Sequence, residues 1–228
     1  MGWNRGLVKA GETSSEVDLA LASTYPQYIL LSCRRENVEE RRGASFDWKG
    51  PRVYVRYPRE SDRRAFLTLR RESEAFLAPW EPTPPPGNQR YNDATYDKIL
   101  AIARTDRRHG LFIVRREDDV LLGGIHFNEV VRGAFQSCYL GYWIGAPYAR
   151  QGYMGEALKL GLSFAFEQLE LHRVEANVIP QNAASMALVE RLGFRREGLS
   201  ERYLKIAGSW EDHVRWAMTS EEWGRERG

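Results

Sequence analysis

Two stretches of this chain bring together residue types that could do chemistry. The first is Tyr148-Ala149-Arg150-Gln151-Gly152-Tyr153-Met154-Gly155-Glu156-Ala157. It lies between an apolar, alternating segment, Ser137 to Ile144, and a segment of helical spacing, Gly155 to about Gln168. A glycine-bearing turn from strand to helix points several backbone N–H groups one way, and the helix dipole adds positive potential. An anion, typically a phosphate, is favoured there. No Gly-Lys-Ser/Thr ends the turn and Gly-x-Gly-x-x-Gly is absent, so it is neither a P-loop nor the dinucleotide fingerprint. The second stretch runs from Asn182 through Ser185 to Leu192-Gly193-Phe194. Read locally, Asn182 caps a short helix, Ser185 sits one turn in, and Gly193 ends it. Two carboxylates, Glu81 and Glu129, stand on segments expected near these stretches. His126 and His213 fall in strands and read as packed or hydrogen-bonded histidines. No His, Cys or carboxylate cluster has ligand spacing, so no metal is expected.

The elements that must position these residues are legible as periods. Arg52 to Tyr57 alternates and predicts a strand. Helices are predicted from Ser61-Asp62, over Glu72 to Leu77, and over Asn92 to Arg104. Between the last two, Pro79-Trp80-Glu81-Pro82-Thr83-Pro84-Pro85-Pro86-Gly87 is too proline-rich for regular structure and reads as a stiff rim loop. Strands follow at Leu111 to Arg115, Val120 to Val131 and Gln136 to Ile144; consecutive hairpins would bring Glu129 near Tyr139. After the glycine turn, Leu158, Leu162, Ala165 and Leu169 form one helix face. Val174, Ala176 and Val178 alternate in the next strand, and the last two strands are about Phe194 to Ile206 and Trp210 to Met218. The order predicts a mixed α/β domain on one central sheet.

Composition excludes several classes. With 228 residues, 43% hydrophobic and 28% charged, the chain suits a globular domain plus an extension. A net charge of +2 implies no polyanion partner, and no nucleic-acid motif is evident. No apolar run approaches a membrane span, and Leu19 to Ala22 is too short for a signal-peptide core. The two cysteines, Cys33 and Cys138, make no spacing motif. A cytoplasmic location is expected. Residues 1–50 lack a period and read as an extension; 51–223 read as the domain, and 224–228 as a tail.

The glycine turn resembles motif A of the GNAT family of N-acetyltransferases, Gln/Arg-x-x-Gly-x-Gly/Ala, although Ala149 and Met154 depart from it. Asn182 to Phe194 closely resembles that family's motif B, where Asn-x-x-Ser opens a helix and Leu-Gly-Phe closes it. Phe76 to Pro82, Val130 to Tyr142 and Gly208 to Val214 are similar to its RimJ/RimL branch, which acetylates N-terminal amines of ribosomal proteins. The resemblance covers roughly Pro51 to Trp223. It implies an α/β GNAT fold with a mixed, V-splayed central sheet, and acetyl-CoA threading the splay between the strand ending at Ile144 and the strand Val174 to Ile179. It implies cofactor contacts from Arg150, Gln151, Gly152, Tyr153, Met154 and Gly155 around the pyrophosphate, from Asn182, and from a bulge amide near Trp143-Ile144 for the thioester oxygen. Ser185 would assist departure of the thiolate, with Glu129 or Glu81 as base. The partner implied is a protein N-terminus, such as that of a ribosomal protein.

Amine chemistry narrows the acceptor. An α-amine is roughly 0.1–0.2 neutral at pH 7, whereas a lysine is neutral only on the order of 0.0004. A site without a strong base therefore suits an α-amine. Acetylation of a small amine, or a non-catalytic CoA-binding role in ribosome assembly, stays open on sequence alone, because function lives in the acceptor site.

Overall fold

The computed structural model describes residues 48–84 and 90–226 of the chain, all within one compact unit, 45–228. The expected extension lies outside the described residues except at its end. There Trp48–Lys49 (β1) pairs with Val53–Arg56 (β2), Trp48 opposite Val55, so the sheet begins before Pro51.

The remaining strands are Arg104–Thr105 (β3), Arg108–Arg115 (β4), Leu121–Val131 (β5), Ser137–Ile144 (β6), Arg173–Val178 (β7), Arg195–Ile206 (β8) and Ser209–Thr219 (β9). They form one sheet in the order β1-β2-β4-β5-β6-β7-β9-β8, with β3 beside β4. The helices are Arg63–Glu72 (α1), Glu74–Leu77 (α2), Asp93–Ile102 (α3), Tyr153–Ser163 (α4), Ala183–Arg191 (α5) and Ser220–Glu226 (α6). Because strand side chains alternate, the sheet builds a core on each face. Cys138 and Leu140 of β6, Val174 and Ala176 of β7, and Val214 and Trp216 of β9 pack with Leu158 and Leu162 of α4 and Leu188 of α5. On the opposite face Trp143 and Phe112 pack with Phe66 and Leu69 of α1 and Tyr96 of α3.

Every strand pairing is antiparallel except β6 with β7. A parallel pair needs a crossover, and α4 followed by a π-helical turn, Phe164–Gln168, supplies it. The pairing runs from Ser137↔Arg173 to Leu140↔Ala176 and stops there. Gly141 to Ile144 continue along β5 alone, with Gly123 opposite Ile144. The strands thus part at their C-terminal ends, which is the V-shaped splay.

Three local readings need correction. The proline-rich loop is not wholly irregular: Ala78–Trp80 is a 3-10 turn with Pro79 in its first positions, where a missing N–H costs nothing. The bulge expected near Trp143-Ile144 is not there: β6 stays in register with β5 at both residues, and the irregularities fall on β5 instead, at Leu122 against β4 and between Asn128 and Val131 against β6, where Glu129 has φ +49°. The chain after Trp223 is no tail at its start, because α6 continues to Glu226 and Trp223 packs on Phe166 at 6.3 Å.

One carboxylate fixes the start of α4. Glu156 Oε1 accepts from the Arg52 and Val53 amides at 2.6 and 3.0 Å, and Oε2 accepts from Arg52 Nε at 3.0 Å. Burial opposes its ionisation, but these donors outweigh burial and hold the carboxyl below its ordinary value. The stabilisation is therefore present above the unfolded carboxyl pKa and is lost as pH falls through the lowered native one. Glu156→Gln should cost about 1–3 kcal/mol at neutral pH. In urea melts the gap between variant and wild type should shrink below pH 4, and a constant gap would count against the ionic origin.

Candidate functional site

The turn after β6 has the shape of an anion cradle. Arg150 and Gly152 both take left-handed conformations, φ +60° and +82°, and α4 starts at Tyr153 with no side chain capping it. Left-handed residues in quick succession turn neighbouring N–H groups to one side, beside the free amides of the helix's first turn. Gln151 Nε2 donates to the Pro147 carbonyl at 2.7 Å, which ties its side chain back to the preceding turn. Arginines surround the cradle. Arg52 donates to the Gln151 carbonyl at 3.0 Å and stacks over the Tyr153 ring at 4.8 Å. Arg191, at the end of α5, reaches to within 3.9 Å of where a Gly155 side chain would begin. Met154 packs at the edge of the main core.

The second stretch sits across the splay from β6. Asn182 Oδ1 accepts from the Ser185 amide at 3.1 Å and caps α5. Ser185 Oγ lies 2.5 Å from the Tyr142 hydroxyl of β6. The sequence reading missed Tyr142, although alternation along β6 places it on the same face as Cys138 and Leu140. Burial pushes the Tyr142 phenol up to about 12, against the hydrogen bond with Ser185. The phenol therefore keeps its proton at working pH, and either hydroxyl of the pair can donate to the other.

The two candidate bases are already engaged. Both Glu81 oxygens accept from Arg70 at 2.6 and 2.7 Å, and Oε2 also accepts from Arg90 at 2.8 Å and from the Tyr91 hydroxyl at 2.9 Å. Arg70 lies between the Tyr91 and Trp143 rings, 4.5 Å from each. Glu81 is thus the anchor that holds the proline-rich loop to α1, and its carbonyl accepts from the Ala207 amide at the β8–β9 turn at 3.0 Å. Glu129 sits beside the level of Tyr139, as hairpin pairing requires, but its carboxylate meets Arg107 at 2.6 Å on the surface. Trp143 is buried in the second core, facing away from α4, while Ile144 packs on the α4 side.

Among the described residues, no group of three or more His, Cys, Asp or Glu could hold a metal ion. No helix there is long and apolar enough to cross a membrane.

A mixed sheet parted between two parallel strands, with a left-handed turn and an uncapped helix start at the mouth of the gap and a helix-capping asparagine across it, is the architecture of a GNAT acetyltransferase. Residues 52–195 match the acetyltransferase (GNAT) domain model, and the chain belongs to that family. It is 33% identical to the ribosomal protein uS5-alanine N-acetyltransferase of Escherichia coli over 175 residues, 75% of this chain and 90% of that protein. It is 33% identical to a probable N-acetyltransferase, YjcK, of Bacillus subtilis over 170 residues, 72% of this chain and 92% of that one. The structure of Mycobacterium smegmatis RimJ in complex with CoA-disulfide is similar at a TM-score of 0.70 and 34% identity, covering 76% of this chain and 87% of that one. The chain is thus an N-acetyltransferase of the RimJ/RimL kind.

Tyr142→Phe removes the hydroxyl paired with Ser185 while keeping the ring. It should lower kcat by about tenfold, the worth of one hydrogen bond near 1.4 kcal/mol. Calorimetry should show acetyl-CoA affinity nearly unchanged, and an unaltered kcat would remove Tyr142 from the reaction.

Proposed function

We propose that this chain transfers the acetyl group of acetyl-CoA to the N-terminal α-amine of a cytoplasmic protein, with ribosomal proteins bearing an N-terminal alanine or serine as the leading candidates. The observation that carries this reading is the splay itself, with the anion cradle at its mouth and the Tyr142–Ser185 pair on its wall. The pyrophosphate would lie on the amides from Gln151 to Gly155, near Arg191, with Arg150 at the rim. The free Nδ2 end of Asn182 would meet the pantetheine arm, because Oδ1 is used in capping. The Trp143-Ile144 end of β6 would lie against the thioester.

The chemistry is direct attack. The neutral amine adds to the thioester carbon, the C–N bond forms, the C–S bond breaks, and sulfur departs as a thiolate while the amine sheds its proton to solvent. Charge develops on sulfur only as that bond breaks. A chain of donors from Tyr142 through Ser185 therefore stabilises the transition state more than the ground state, and only such a difference accelerates the step. Proton removal asks little of the protein when the acceptor is an α-amine. That suits a site whose nearby carboxylates, Glu81 and Glu129, are both held by arginines.

Two variants test the reading. Gly152→Asp forces an L-residue to φ +82° and sets a carboxylate at the cradle; it should abolish acetyl-CoA binding in a folded protein. Ser185→Ala should leave that binding intact and lower turnover by roughly 10²-fold. Unchanged affinity in the first, or wild-type turnover in the second, would overturn the corresponding role. Mass spectrometry of protein N-termini from cells with and without the gene would identify the acceptor.

A further inference from the structure

The glycine turn before α4 is held by a residue about a hundred positions away. Ala149 brings no polar side chain to the turn, and Gln151 ties its own back to Pro147. Arg52, just ahead of β2, reaches in instead. About half of its side chain is exposed, yet its guanidinium is fixed at three points. Nε donates to Glu156 Oε2 at 3.0 Å, Nη1 donates to the Gln151 carbonyl at 3.0 Å, and the group lies 4.8 Å from the centre of the Tyr153 ring. Glu156 is in turn held by the Arg52 and Val53 amides, so the carboxylate that orients the guanidinium is itself anchored to backbone. Gly152 leaves the guanidinium its room, since a Cβ there would stand 3.2 Å from Nη2.

The bond to Gln151 controls the next amide. In a trans peptide the carbonyl and the N–H point in opposite directions across one rigid plane. Capture of the Gln151 carbonyl by Arg52 therefore aims the Gly152 N–H away from Arg52. Sterics alone do not settle that orientation. Gly152 sits at φ +82°, and glycine takes positive and negative φ about equally well. Turning the Gln151–Gly152 plane over would exchange N–H for carbonyl and offer an acceptor where an anion needs a donor. We propose that Arg52 is a positioning residue of the donor site: its bond to the Gln151 carbonyl locks the Gln151–Gly152 peptide with the N–H toward the diphosphate of acetyl-CoA. This inference rests on the acetyl-transfer reading above and deepens it. A cation against the carbonyl also polarises the peptide, which strengthens the Gly152 N–H as a donor. Glu156 then has a second task besides pinning α4, because it aims the arginine that aims the amide.

The test compares acetyl-CoA with S-acetylpantetheine, which carries the same thioester and no diphosphate, using the full chain and an alanine-initiated peptide as acceptor. Arg52→Met keeps an unbranched stem beside Tyr153 and removes the guanidinium. The ratio of kcat/KM for acetyl-CoA to that for S-acetylpantetheine should fall about tenfold, the worth of one hydrogen bond. Damage to the fold at large would lower both donors and leave the ratio alone. Arg52→Lys keeps the charge, but its nitrogen falls where Cζ of Arg52 lies, one bond short of the Gln151 carbonyl. The ratio should fall in this variant too. In proton–nitrogen correlation spectra the Gly152 amide should shift strongly when acetyl-CoA is added to wild type and little in either variant. A wild-type ratio in Arg52→Met or in Arg52→Lys, or equal Gly152 shifts in all three proteins, would overturn the positioning role and leave the acetyl-transfer reading standing. Wild type that binds no acetyl-CoA would overturn both.

Discussion

A parallel strand pair that stops halfway leaves backbone N–H and C=O groups without a ladder partner, and such groups cost about 1–3 kcal/mol each where neither protein nor water answers them. β6 and β7 stop pairing after Leu140 and Ala176. The gap survives because each strand is held on its other side: β6 stays in register with β5 through Ile144, and β7 with β9 through Val178. The crossover that joins them, α4, starts over β2, where Glu156 pins it. That placement leaves the helix N-terminus at the mouth of the gap rather than over it. The cradle and the Tyr142–Ser185 pair are both arranged around this one interruption of the sheet.

Two kinds of carboxylate organise the surroundings. Glu156 and Glu81 each gather donors from segments distant in sequence, and each thereby fixes a segment that borders the gap. Replacing either by a neutral residue would leave oriented N–H groups or guanidinium groups without their acceptor, a larger loss than the contact itself. The surface pair Arg107–Glu129, by contrast, is exposed on both sides and contributes little to stability. A sequence reading sees three glutamates of equal chemistry, and only the fold separates these tasks.

Much of the fold was legible because strand and helix periods are local properties. The alternations at Val53–Arg56, Leu121–Val131 and Arg173–Val178 appear as strands at nearly the expected bounds, and Gly193 ends α5 with φ +82°. The glycine turn and the asparagine cap were legible for the same reason. What escaped was pairing at long range. Tyr142 and Ser185 are 43 residues apart, and Arg52 and Glu156 are 104 apart. Alternation assigns Tyr142 to a face, but nothing local says which helix covers that face. The bulge was misplaced because it depends on registry between two strands rather than on either alone.

Cys138 gives the buried core a further consequence. It lies 2% exposed among the apolar side chains beneath α4, and burial pushes its thiol up to about 12. At neutral pH the thiol stays protonated, and the thiolate is the form that exchanges with disulfides. Acetyl transfer from acetyl-CoA liberates a free thiol at every turnover. Protonated and covered, Cys138 is a poor partner for disulfide exchange with that thiol's oxidised forms, which keeps the β6 wall of the gap out of such chemistry.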